Sequence, residues 1–222
     1  MDFGKAFTYP FDDPDWLKKI LIPALIAIIP IVGQIFLIGW SLDVTRRIIR
    51  REPSPLPELD FGRQMVDGLK AFVIGLVYAI PVFILIIPVI IVSVAASSGN
   101  TSDNSSNGLV AAVTLCCSGL IFIYSLVLAF VLPAVYANFI ANENLGAAFR
   151  FQEVIGLVRA APGAYLIVLL GVIITSFIAQ LGTIACGIGV LATLTYSMAV
   201  NGHLYGQAYN EATRNTGFAK VY

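Results

Sequence analysis

Polar and apolar positions divide the chain into long blocks. Uncharged stretches occupy residues 71–102, 104–142 and 160–210, with a shorter one at 20–42, and Asp103 is the only charge between 71 and 142. Each long block exceeds the roughly 20 residues that cross a 30 Å hydrocarbon layer at 1.5 Å per helical residue. The last would reach roughly 75 Å as a single helix, so it turns back once. The pattern predicts four membrane crossings near 71–97, 109–138, 163–183 and 185–206. SSGNTSDNSSNG at 97–108 has no apolar face and reads as a loop. LGTIACGIG at 181–189 supplies closely spaced glycines for a tight turn. Neither stretch has the alternating polarity of an outer-membrane barrel strand.

Residues 17–50, LKKILIPALIAIIPIVGQIFLIGWSLDVTRRIIR, admit two arrangements. One is a single crossing kinked at Pro30, which cannot donate a backbone hydrogen bond. The other is a hairpin turning at Pro30–Gly33, with a short arm near 17–29 and a longer arm near 34–50. Charge favours the hairpin. Lys18 and Lys19 flank one end and Arg46, Arg47, Arg50 and Arg51 the other, so only a hairpin keeps both clusters on the cytoplasmic side, as the positive-inside bias prefers. All 13 basic residues then face the cytoplasm, with both termini, and the loop at 97–108 lies outside. The hairpin arms either cross fully or form a short re-entrant pair; non-helical turns at membrane depth need cover from protein or a water-lined cavity.

A faint repeat supports three such units. DFGKAF at 2–7, DFGRQM at 60–65 and NLGAAF at 144–149 each precede an apolar pair. The expected fold is therefore an all-α, polytopic membrane bundle forming a single domain over 1–222, with six segments in three hairpins. Its units are residues 1–59, 60–142 and 143–222. The lead-ins are amphipathic: Phe61, Met65, Leu69 and Phe72 recur at helical spacing, with Arg63, Gln64, Asp67 and Lys70 elsewhere around the helix, and Phe151, Val154, Ile155 and Val158 are set against Arg150, Glu153 and Arg159. Such segments either lie in the membrane interface or extend the membrane helices into the cytoplasm.

Composition agrees with the block pattern. The chain is 58% hydrophobic and 12% charged, about half the charge of an ordinary globular domain. The opening MDFGKAFTYPFDDPDW has acidic residues where a cleavable leader has an apolar core, so the first apolar segment is expected to be retained. Cys116, Cys117 and Cys186 lack metal-ligand spacing and read as buried free thiols. The sequons at Asn100 and Asn104 follow from a loop rich in Ser and Asn.

Polar residues inside apolar segments are the places to look for function, because burying them requires partners or water. Asp43 stands three and four residues before Arg46 and Arg47, within reach on one helix face. It reads as a charge pair anchoring a helix at the cytoplasmic interface or, alternatively, as part of an ion path. Arg46, Arg47, Arg50 and Arg51 would attract anionic lipid head groups. In NGHLYGQAYNEA at 201–212, Asn201, Tyr205 and Tyr209 follow one face, while His203 and Gln207 share another. The lone histidine rules out a histidine-pair metal site, and an interfacial hydrogen-bonding role is its simplest reading. Gln34, Gln180 and Asn138 can bond across helices. Asp12 or Asp13 is expected to cap the helix that follows Pro14. Gly75, Gly119, Gly171 and Gly182 offer close helix contacts.

No metalloprotease, nucleophile-elbow, P-loop or dinucleotide motif is present. The residues name no catalytic group, cofactor or metal, and no nucleic-acid partner. Three readings stay open: a non-enzymatic protein organising lipids or partner proteins, or a homo-oligomer of such a protein; a channel or transporter; and, last, a membrane-embedded lipid-active enzyme.

The opening MDFGKAFTYPFDDPDWLKKILI, the turn IPIVGQIFLIGWSLDVTRRIIR, the motif LPELDFGRQMVDGLKAFVIGLVY and the ending HLYGQAYNEA resemble the prokaryotic membrane proteins grouped as domain-of-unknown-function family 4013. The resemblance covers nearly the whole chain. It implies a multi-pass inner-membrane protein of bacteria or archaea and brings no activity, cofactor or catalytic residue with it.

Overall fold

The computed structural model describes residues 1–53, 56–97, 104–182 and 188–216. Among these residues all regular structure is helical. The helices are α1 (Phe3–Thr8), α2 (Trp16–Ile26), α3 (Val32–Ile49), α4 (Phe61–Ser97), α5 (Asn104–Asn142), α6 (Phe151–Ala160), α7 (Pro162–Leu181) and α8 (Ile188–Thr216), with short 3-10 turns at Tyr9–Asp12 and Leu145–Phe149. Two compact units result, one of residues 1–74 and 130–222, the other of residues 75–129. Asp103, Cys186, Lys220 and the Asn100 sequon lie outside the described residues, as does most of the turn expected at 181–189. Of the loop expected at 97–108, Ser97 belongs to α4 and residues 104–108 to α5, and the rest lies outside the described residues.

Three of the described helices are long and apolar enough to cross a membrane: Phe61–Ala95, Val110–Asn142 and Pro162–Leu181. Their most apolar stretches are left almost bare, with 11%, 0% and 28% of the residues buried. Surfaces of that kind need lipid, and the protein is a membrane-embedded helical protein. Cys116 is correspondingly exposed on α5, and Cys117 partly so, where buried thiols were expected. Among the described residues little packs on that part of α5. A Cβ built on Gly119 would likewise meet nothing within 4 Å, so among the described residues no helix makes the close contact expected there.

Residues 17–50 form a hairpin. Helix α2 ends at Ile26, Ile31 takes a left-handed backbone (φ 67°), and α3 starts at Val32. Gly33 makes the reversal tight: a Cβ there would run into the Ile26 carbonyl. With 11 residues, α2 is roughly 16 Å long, about half the hydrocarbon thickness. The tip carries exposed Ile28, Ile29 and Ile31.

Helix α8 is the axis of the larger unit and packs against α1, α2, α3, α6 and α7. Hydrogen bonds set its register. Thr193 and Ser197 hydroxyls donate to the carbonyls of Ala179 and Thr175 on antiparallel α7 (3.3 and 2.9 Å). Against parallel α3, Ser41 donates to the Met198 carbonyl and Thr45 to that of Gly202. Gly202 and Gly206, one turn apart, let α3 approach, since a Cβ at either would meet Ser41 or Ile48. Being enclosed by protein, α8 has little need of an all-apolar surface, which explains its lower hydropathy beside the three bare helices.

Each of the three echoed motifs begins with a side-chain cap. Asp2 accepts from the Lys5 amide (3.0 Å), Asp60 from the Arg63 amide (3.1 Å) and Asn144 from the Gly146 amide (2.9 Å). Their sequels differ. Residues 61–72 are simply the first turns of α4, whereas α6 is a separate helix, broken from α7 at Ala161 before Pro162. Neither Asp12 nor Asp13 caps α2. Asp13 instead accepts from the Asp15 amide (2.9 Å) and pairs with Lys19 (2.7 Å), turning the chain into the helix.

Candidate functional site

The start of α4 is inside-out relative to a water-soluble helix. Phe61, Leu69 and Phe72 are exposed, at 48%, 52% and 41%, while Gln64 and Asp67 are buried. Gly39 of α3 and Gly68 of α4 make this possible. A Cβ at Gly39 would strike the Gln64 carbonyl, and one at Gly68 the Ile35 carbonyl, so the backbones touch at this crossing. The polar face of α4 is thereby pressed against α3.

An ion network fills the seam. The Arg46 guanidinium, with its side chain 8% exposed, donates through Nη1 to Asp43 (3.0 Å) and through Nη2 to Asp67 (2.6 Å). Arg63 donates to the second Asp43 oxygen (2.8 Å), and Gln64 adds a longer bond to it (3.3 Å). Gln64 also donates to the Glu58 carbonyl (2.9 Å) and accepts from the Asp60 amide (3.2 Å). Lys70 stands 3.9 Å from Asp67. From the end of α5, Glu143 receives Arg50 (2.6 Å) and lies 3.8 Å from Arg46 Nε, which is buried without a hydrogen bond. Buried charge is tolerated when it is paired and hydrogen-bonded in this way.

The other predicted residues sit apart from this seam. Arg47 pairs with Glu52 (3.5 Å) rather than with Asp43, and Arg51 is exposed at a left-handed position (φ 56°). Gln34 is exposed near the start of α3. Asn201 accepts from the Thr175 hydroxyl (2.9 Å), and Asn138 donates to the Ala147 carbonyl (3.0 Å). His203 stacks on Tyr9 with ring centroids 4.3 Å apart, and its Nδ1 meets the Gln207 amide at 3.1 Å. Gln207 in turn clasps the backbone of Asp2 as acceptor (2.9 Å) and donor (3.1 Å), and the Met1 amino group reaches Glu211 (2.9 Å). These contacts fasten the first residues to the end of α8. Beside them lies a cleft of 590 Å³ bordered by Lys5, Asp12, Glu52 and His203.

Asp67, Arg63, Gln64 and Glu143 were missed as site residues. The first three carried a signal: polar residues at 63, 64, 67 and 70 fall on neighbouring turns immediately before a long apolar run, which made them a face awaiting a partner. Glu143 carried none, standing in an ordinary polar break. Among the described residues no group of three or more His, Cys, Asp or Glu side chains is placed to hold a metal ion.

The family model described as "Protein of unknown function (DUF4013)" matches residues 22–188, three-quarters of the chain and both sides of the ion seam. The chain belongs to the DUF4013 family. Comparison with curated proteins and with solved structures finds no match. The DUF4013 match spans the end of α2, the turn into α3 and all of α3, the glycine crossing and the first three crossings expected from the apolar blocks.

Proposed function

We propose that this DUF4013 protein is a non-enzymatic, multi-pass protein of a prokaryotic inner membrane that organises lipids or partner proteins. In this reading α4, α5, α7 and the first part of α8 cross the bilayer. The α2–α3 hairpin enters and leaves on the cytoplasmic side, completing six segments in three hairpins. The termini share that side. Supporting this, Arg46, Arg50 and Arg63 join one network, and parallel α3 and α8 send Arg46 and Arg214 towards the same end of their unit. Residues 75–129 contain no Lys or Arg.

One observation carries the functional part. Asp43, the carboxylate best placed for an ion path, is 1% exposed and its two oxygens are engaged by Arg46, Arg63 and Gln64. A carboxylate held this way fastens helices together. It is not open to a hydrated ion. The test is flux through liposomes carrying the purified protein. Ion and small-osmolyte permeation should equal that of protein-free liposomes for wild type and for Asp43→Asn. Wild-type flux that Asp43→Asn abolishes would establish a channel or transporter instead.

A further inference from the structure

The ion seam encloses a pocket of 230 Å³ whose walls include Arg46, Arg63 and Lys70 on one hand and Asp67 and Glu143 on the other. Phe139 and Ile140 close one side. The arginine at its back has an unmet donor: Arg46 Nε is buried, makes no hydrogen bond, and stands 3.8 Å from the Glu143 carboxylate, beyond hydrogen-bond reach. Glu143 is the movable member. Its side chain is 60% exposed and its one close partner is Arg50, itself 41% exposed. Asp67, by contrast, is held between Arg46 and Lys70.

Charge bookkeeping indicates what would replace Glu143. Counting Arg50 with the three lining cations, and Asp43 and Asp60 with the two lining carboxylates, the network holds four charges of each sign. Swinging Glu143 outward leaves one positive charge unmatched. A phosphodiester carries one negative charge and several acceptor oxygens, enough to take Arg46 Nε together with Lys70 and Arg63, and guanidinium groups are suited to phosphate. On α4 the exposed Val66 and Val73 lie one turn either side of Lys70 on its own face, giving an apolar surface beside the pocket for an acyl chain.

We propose that this pocket is a binding site for a singly charged phosphate group, such as a lipid phosphodiester, and that Glu143 is the internal carboxylate it displaces. The proposal rests on the lipid-organising reading above and gives it a head-group site. Arg47 and Arg51, expected from the sequence to attract lipid, are outside the site; Arg63 and Lys70 take their place.

The test uses the full chain in phosphatidylcholine vesicles with a trace of pyrene-labelled phosphatidylglycerol or pyrene-labelled phosphatidylcholine, read by energy transfer from Trp16 and Trp40. Wild type should prefer the phosphatidylglycerol probe. Lys70→Gln, at a half-exposed side chain 3.9 Å from Asp67, should weaken that preference about fivefold, and Glu143→Gln should strengthen it by about the same factor, as expected for one charge near a membrane surface. Inorganic phosphate as competitor separates the sources: displacement of the probe assigns the site to a soluble anion, and no displacement assigns it to lipid. Equal transfer from both probes, or a preference unchanged in both variants, would overturn the proposal. Flux in the same vesicles keeps the two readings separate. Silent vesicles without a phosphate preference remove the pocket alone, and leaking vesicles that retain the preference remove the organising role alone.

Discussion

Replacing Arg46 with methionine is the sharpest test of the ion seam. Methionine keeps the unbranched apolar stem while deleting the guanidinium and its charge. Two hydrogen-bonded ion pairs disappear, to Asp43 at 3.0 Å and to Asp67 at 2.6 Å, in a site where the arginine side chain is only 8% exposed. The two carboxylates fare differently. Asp43 keeps Arg63 and Gln64, whereas Asp67 keeps only Lys70 at 3.9 Å and becomes a poorly compensated buried charge. Breaking a buried pair from one side costs about 3–5 kcal/mol. Arg63→Gln removes a pair of similar length, 2.8 Å, but from a side chain 44% exposed, where solvent screening reduces the loss to about 1 kcal/mol or less. Arg46→Lys should fall between them, because one ammonium cannot span both carboxylates as a planar fork does. Equilibrium unfolding in a mild detergent, titrated with a denaturing one, measures all three. The expected order is Arg46→Met, then Arg46→Lys, then Arg63→Gln. If Arg46→Met costs no more than Arg63→Gln, the seam does not hold α3 to α4 and the reasoning fails.

Two further outcomes follow from backbone geometry. Gly39→Ala should destabilise by about 1–3 kcal/mol, since its Cβ would strike the Gln64 carbonyl and a backbone cannot yield as a side chain can; Gly119→Ala, in open space, should be neutral or stabilising by up to about 1 kcal/mol in the same unfolding assay. Ile31→Cys, in a chain with its native cysteines replaced, should resist a membrane-impermeant maleimide from both faces, because α2 is only roughly 16 Å long, about half the hydrocarbon thickness; labelling from the outer face would show that the hairpin crosses.

Much of the fold was legible in the residues. Apolar blocks longer than a bilayer is thick can only be helices there, since a backbone in hydrocarbon must satisfy its own hydrogen bonds, and this located α4, α5 and α7. The hairpin at Pro30 was legible through charge. Charged clusters at both ends of a segment prefer one side, and the chain does reverse between Ile26 and Val32. The candidate site was half legible. Asp43 with Arg46 followed from their spacing, and His203 with Gln207 from theirs, because neighbours on one helix face are fixed by the helical repeat.

What the chain alone determined, then, is what local periodicity and solvent preference control: helices, their approximate ends, the reversal in residues 17–50, and pairs three or four residues apart. The tertiary structure decided which face of each helix turns inward. Amphipathicity by itself does not say whether the apolar side meets protein or lipid, and on α4 it leaves Leu69 and Phe72 exposed while Gln64 and Asp67 are buried. Contacts over long sequence separations, Arg46 with Asp67 and Arg50 with Glu143, depend on that choice and on glycines that let two backbones touch. No spacing rule encodes them, because the distance between such groups is set by how helices cross rather than by how many residues lie between.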